Sequence, residues 1–135
     1  MALKVFDGLK QRGLQPTIIT YNALISACEK GAQWGKAIEL LDELKQRGME
    51  PDIITYSALI SACEKGGQWE MALKVFDGLK QRGLQPTIIT YNALISACEK
   101  GAQWGKAIEL LDELKQRGME PDIITYSALI SACEK

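Results

Sequence analysis

The sequence predicts an all-α solenoid of helix-turn-helix repeats, about eight short helices laid side by side. Three observations predict it. Residues 1–65 recur letter for letter as 71–135, with only GGQWE between them. Inside that 70-residue unit lies a second period, because residues 18–52 and 53–87 agree at 23 of 35 positions. Each 35-residue unit also carries two stretches with apolar residues at i, i+3, i+4 and i+7, the stripe of an amphipathic helix. A fixed period in this range marks units that cannot bury their apolar faces alone and stack on their neighbours instead.

The first helix of a unit is carried by TYNALISACEKG, residues 20–31. This phrase returns at 90–101, and TYSALISACEKG stands at 55–66. Tyr21, Leu24, Ile25 and Cys28 fall on one face of it. Asp52 or Thr55 is placed to cap the equivalent helix of the next unit, and Gly31 to end this one. The second helix carries Trp34, Ala37, Ile38, Leu41 and Leu44 at helical spacing. It stops at Arg47-Gly48, and Pro51 bars any continuation. Helices of about a dozen residues are not stable alone in water, so stacking must supply the burial. Gly8 and Gly78 fall inside second helices where the sister units carry Glu43 and Glu113. A glycine there costs about 1 kcal/mol, and the sequence offers no reason for it.

Composition narrows the chemistry. The 135 residues are 47% apolar, with 16 basic and 17 acidic residues and no histidine. The net charge of −1 excludes a chain held to nucleic acid by bulk charge alone. Cys28, Cys63, Cys98 and Cys133 recur one per unit on the apolar stripe, without a CxxC pair. They read as small buried thiols rather than as disulfides or zinc ligands. Neither a metal set nor a cofactor motif, phosphate loop or activated nucleophile can be picked out, so no enzymatic activity and no small-molecule substrate are expected. The opening MALKVFDGLK reads as neither a signal peptide nor an Arg/Ser-rich transit segment, and no apolar run is long enough to span a membrane. Natural repeats drift apart, so 65 unchanged residues point to a designed gene or a very recent duplication.

The unit IITYNALISACEKGAQWGKAIELLDELKQRGMEPD resembles a pentatricopeptide repeat over the whole chain. The resemblance rests on the 35-residue length, T-Y-N/S opening the first helix, Cys-x-Lys-Gly at its end, A-x-x-L/V-L/F in the second helix, and K-x-R-G-hydrophobic-x-P-D/T. The W-x₂-L-G-x₂-Y pattern of tetratricopeptide repeats is missing. In this register the chain holds a second helix (1–17), three complete units (18–52, 53–87, 88–122) and a first helix (123–135). The family's architecture implies an open right-handed superhelix.

The resemblance also implies a function, the binding of single-stranded RNA along the concave face, one base per unit. Two residues per unit would read the base edge. Here they are Asn22 with Asp52, Ser57 with Thr87, and Asn92 with Asp122. Asn with Asp goes with uracil in the family. The Ser57–Thr87 pair departs from the family's patterns and implies a poorly defined base, so the implied reading is U-x-U. Thr17 and Ser127 lack their partners. Ile19, Ile54, Ile89 and Ile124 match residues that sandwich bases, and Lys30, Lys65, Lys100 and Lys135 match a lysine near the phosphates. Plainer roles compete: Asn22 and Ser57 as local caps, the isoleucines as seals between units, and the lysines as partners of the helix dipole. With units 18–52 and 88–122 at net −2 and unit 53–87 at +1, three readers on this scaffold should bind weakly.

Two other functions stay open. One is a structural scaffold with no ligand, whose uncapped ends associate head to tail with further copies. The other is a peptide-binding groove. The family is typically organellar, but the sequence itself names no compartment.

Overall fold

The structure is a computed structural model. It describes residues 2–13, 16–31 and 33–134, with side chains other than those of 2, 3, 5, 6, 10 and 132–134. Among the described residues there are eight helices and no strands: α1 (Ala2–Gln11), α2 (Ile18–Lys30), α3 (Trp34–Gln46), α4 (Ile53–Lys65), α5 (Trp69–Gln81), α6 (Ile88–Lys100), α7 (Trp104–Gln116) and α8 (Ile123–Glu134). The all-α repeat array expected from the periodicity is the one observed.

First helices start by a shared device. Thr17, Asp52 and Thr87 are the N-caps of α2, α4 and α6, and each side chain accepts the backbone N–H of the threonine three residues on. That threonine's hydroxyl accepts the cap's own N–H in return, closing a reciprocal capping box. Asp122 and Thr125 repeat it at the start of α8. Asp52 and Thr55, set as alternatives by the sequence, therefore act together.

Second helices end in a left-handed glycine. Gly48, Gly83 and Gly118 have φ between +75° and +79°. At the first of these turns Gly48 N–H donates to the Lys45 carbonyl and Met49 N–H to that of Leu44. First helices turn one residue later than their terminal glycine. Gly66 and Gly101 have negative φ, and the left-handed residues are Gly67 (φ +70°) and Ala102 (φ +56°). Gly66 and Gly101 are needed for a different reason. A Cβ on Gly66 would lie 2.5 Å from the Trp34 ring, and one on Gly101 2.2 Å from the Trp69 ring. Trp34 and Trp69 thus pack against the end of the first helix of the following unit.

Packing forms two unequal layers. α2, α4, α6 and α8 lie directly against one another, whereas α3, α5 and α7 each pack on the first helices on either side and make no close backbone contact with each other. A close-packed row backed by a spaced row curves toward the close-packed side, so the first helices line the inner surface. The core runs continuously through Tyr21, Leu24, Ile25 and Cys28 and their counterparts, against Ala37, Leu41 and Leu44 and theirs. Leu40 joins this stripe, while Trp34 and Ile38 lie half-buried at its edge. Cys28, Cys63 and Cys98 are buried free thiols, and burial pushes Cys63 and Cys98 up to about 11. The Cys133 side chain lies outside the described residues. No described helix is long and apolar enough to cross a membrane.

Candidate nucleic-acid interface

The inner surface is built from the start of each first helix. Asn22 lies five residues beyond the cap of α2, and its side chain crosses to the cap of α4. Its Nδ2 donates to Asp52 Oδ1 at 3.3 Å, and Thr55 Oγ1 donates to its Oδ1 at 2.5 Å. Thr55 Oγ1 is also 2.9 Å from Asp52 Oδ1, and its single proton serves one of the two acceptors at a time. The arrangement recurs between α6 and α8. There Asn92 Nδ2 lies 3.3 and 3.4 Å from the Asp122 carboxylate oxygens, and Thr125 Oγ1 lies 2.5 Å from Asn92 Oδ1.

This contact fixes the amide. A flipped asparagine would set its oxygen against a carboxylate, so the hydrogen-bond network assigns one orientation. The second amide N–H and the free lone pair of Oδ1 are left as a donor and an acceptor with set directions. Burial pushes the Asp52 carboxyl up, but hydrogen bonds from Thr55 (backbone N–H and hydroxyl), the Asn22 amide and the Ile54 N–H outweigh it and hold the carboxyl below its usual range. The bonds from Thr125 lead in lowering Asp122, burial opposes them, and lesser bonds from Asn92 and Ile124 add to the lowering. Both carboxylates are therefore ionised at neutral pH. Asn22 caps no helix, since Thr17 does that, and the local-cap reading of this position fails.

The middle unit differs. Thr87 spends its hydroxyl on the cap of α6, accepting Thr90 N–H at 3.3 Å with the Thr90 hydroxyl 3.2 Å away. No side-chain hydrogen bond of Ser57 is found among the described residues. A concavity of about 390 Å³ opens there, lined by Ile54, Ser57, Thr87 and Ile89, with Glu29 and Ser61 at its edge.

The isoleucines do not seal the joints. Ile19, Ile54, Ile89 and Ile124 are 62–77% exposed, at one position in every unit. The lysine row is present but partly engaged. Lys65 pairs with Glu29 of the preceding unit, and Lys100 pairs with Glu64 at 3.0 Å. Ser96 also donates to Glu64, at 3.0 Å. Lys30 is exposed. Lys135 lies outside the described residues.

Sequence reasoning missed two features. The proton that sets the Asn22 and Asn92 amides comes from buried Thr55 and Thr125, which the T-Y pair hides as a simple helix start. The glutamates opposite Gly8 and Gly78 also have a task. Tyr21 Oη donates to Glu43 Oε2, and Tyr91 Oη to Glu113 Oε2, both at 2.5 Å. Burial, then the Glu43 carboxylate, pushes the Tyr21 phenol up to about 12. The signal was available: the residue at 43, 78 and 113 changes beneath an unchanging tyrosine.

A family model described as a pentatricopeptide repeat domain matches residues 1–30 and 39–100. The chain belongs to the pentatricopeptide repeat family. Models of the single repeat and of the repeat family match residues 19–49 and 86–135. Among solved structures, the pentatricopeptide repeat protein PPR10 in complex with an 18-nt psaJ RNA element is 36% identical, with a TM-score of 0.82 over 98% of this chain. PPR10 from maize is 29% identical, with a TM-score of 0.85 over 96% of the chain. The chain spans 19% of the length of PPR10. The pentatricopeptide repeat domain of Arabidopsis thaliana protein-only RNase P 1, in complex with tRNA, shares the fold at 18% identity, with a TM-score of 0.86 over 98% of this chain and 70% of that one. No curated protein sequence matches the chain.

Proposed function

We propose that the chain binds single-stranded RNA along the row of first helices, one base per unit, and reads U-x-U. The observation that carries this reading is the pair of asparagine amides held in one orientation by Asp52 with Thr55 and by Asp122 with Thr125. Uracil presents an N–H flanked by carbonyl oxygens, and a fixed amide answers it with an acceptor and a donor. Ile54 and Ile89 stand exposed on either side of the Ser57 position, where a base can stack between them. By analogy with aromatic platforms, such stacking contributes on the order of 1 kcal/mol per base whatever the base. The RNA bound by PPR10 supports the reading by kinship. With three readers and a near-neutral scaffold, affinity is low.

Fluorescence anisotropy with labelled oligo-U, oligo-C and oligo-A at low salt tests this. Oligo-U should bind best, and Asn22→Thr with Asn92→Thr should remove the preference. Equal binding of all three, unmoved by the substitutions, overturns it.

A second reading, compatible with the first, is head-to-tail association of copies. Tyr126 and Ile130 on α8 are 47% and 61% exposed, whereas their counterparts Tyr56 and Ile60 on α4 are buried. α5 packs against α4, and its Ala72–Gln81 segment has the same sequence as α1. The α1 of a second copy therefore fits the open face of α8. Light scattering should show oligomers growing with concentration, and monomer at every concentration sinks this reading.

A further inference from the structure

One joint inside the chain recurs, in halves, on two open faces. α4 is covered by α5 and α6, which also pack on each other. α8 repeats the sequence of α4, and residues 2–30, which hold α1 and α2, repeat residues 72–100, which hold α5 and α6. Both halves stand uncovered. On α8, Tyr126 and Ile130 are exposed where Tyr56 and Ile60 of α4 are buried. On α2, Ala27 is exposed and Thr20 half-buried where Ala97 and Thr90 of α6 are buried, and Ala23 is exposed where Ala93 is half-buried. The halves also match in charge. Across the internal joint Lys100 pairs with Glu64 at 3.0 Å, and Lys30 and Glu134 hold those positions in the sequence of the two open halves. The internal joint also makes the concavity of the inner surface, lined by Ile54 and Ser57 of α4 and by Thr87 and Ile89 at the start of α6. Its counterparts are divided: Ile124 and Ser127 lie on α8, Thr17 and Ile19 at the start of α2.

We propose that a fourth base site forms between two copies of this chain bound in line on one RNA. Ile124 and Ser127 of one copy and Thr17 and Ile19 of the next line it together, as Ile54, Ser57, Thr87 and Ile89 line the concavity within a copy. Neither copy holds this site alone. The array then follows the strand as U-x-U-x, four bases to a copy, and each bound copy offers the next an open face. The RNA acts as the linker, so binding is cooperative along the strand. The proposal rests on the RNA reading above and does not require the free chain to associate.

Anisotropy and sedimentation velocity with labelled UAU and (UA)6 test it, on the unaltered chain and on Ala27→Glu. Ala27 is exposed on α2 and belongs to no base site, so a glutamate there obstructs only the joint. The unaltered chain should bind (UA)6 cooperatively, several copies to a strand, and about tenfold or more tighter than Ala27→Glu does. The two should bind UAU alike. A second variant keeps the joint and changes its base. Thr17→Asp with Ser127→Asn sets an Asn–Asp pair only across copies, beside Thr20, which holds the position of Thr55. It should prefer (UAUU)3 to (UA)6, and adding Ala27→Glu should abolish the preference. Equal affinity of the unaltered chain and Ala27→Glu for (UA)6, or no change of preference in the second variant, overturns the shared site and leaves the RNA reading standing. No binding of any of these RNAs by the unaltered chain overturns both.

Discussion

Units 18–52 and 88–122 are identical in sequence, and the unit between them keeps the same helices, caps and turns while changing the polar ties. Each flanking unit binds its own two helices through a tyrosine–glutamate bond and binds the following first helix through an Asn–Asp–Thr contact. The middle unit has neither. Its outer side is held by a Phe76–Tyr91 edge-to-face contact at 5.5 Å and by Lys80 reaching Glu113. Apolar periodicity, with the caps and turns that all units share, therefore suffices to set the helices in place. The polar residues decide how firmly neighbouring units are tied and which groups face the inner surface.

The largest expected contrast lies at the tyrosines. Tyr91→Phe leaves the half-buried Glu113 carboxylate without its hydroxyl donor and should cost about 1–3 kcal/mol. Tyr56→Phe removes a hydroxyl that has no partner and should be neutral or stabilising. Urea denaturation of both variants decides, and equal losses would break the distinction between the units.

The turns come next. Ala102 sits at φ +56° where the middle unit has Gly67. Ala102→Gly should stabilise by about 1 kcal/mol and Gly67→Ala should destabilise by a similar amount, since a Cβ is strained in the left-handed region. Thermal melts of the two variants should shift in opposite directions.

Converting the middle unit should have a comparable or smaller effect. Ser57→Asn with Thr87→Asp installs the third amide contact, because Thr90 already stands where Thr55 and Thr125 stand. It should add about 0.5–1.5 kcal/mol and turn the middle base preference to U, seen by comparing UUU and UAU oligonucleotides.

The smallest effect is on pH. Asp52 and Asp122 have folded-state pKa values below the usual carboxylate range. Their contribution to stability is complete above the unfolded value of about 3.9 and is lost as pH falls through the lower folded values. Asp52→Asn with Asp122→Asn should flatten that acid limb in a pH series of urea melts and leave the profile above pH ~5 unchanged.

The fold was legible because its cause is local and repeated. The spacing of Tyr21, Leu24, Ile25 and Cys28 sets a helix, and Gly48 with Pro51 ends the next one. The asparagine–aspartate pairing could be proposed only by resemblance, since the two residues lie 30 apart and meet across a joint. The roles of Thr55 and Glu43 escaped for the same reason: hydrogen bonds spanning 33 and 22 residues leave no local pattern. The sequence marks Gly31 as a helix stop, and at its counterpart Gly66 only the approach of Trp34 shows why the position excludes a side chain.

The lysine row has a consequence for ionic strength. Lys65 and Lys100 are already paired with Glu29 and Glu64. A phosphate that captures either lysine must first open that pair, and the glutamate set free gathers sodium as the phosphate sheds it. The carboxylate's gain of solution cations then offsets part of the release at the phosphate. The proposed RNA complex should therefore lose affinity less steeply with added salt than a count of the lysines implies.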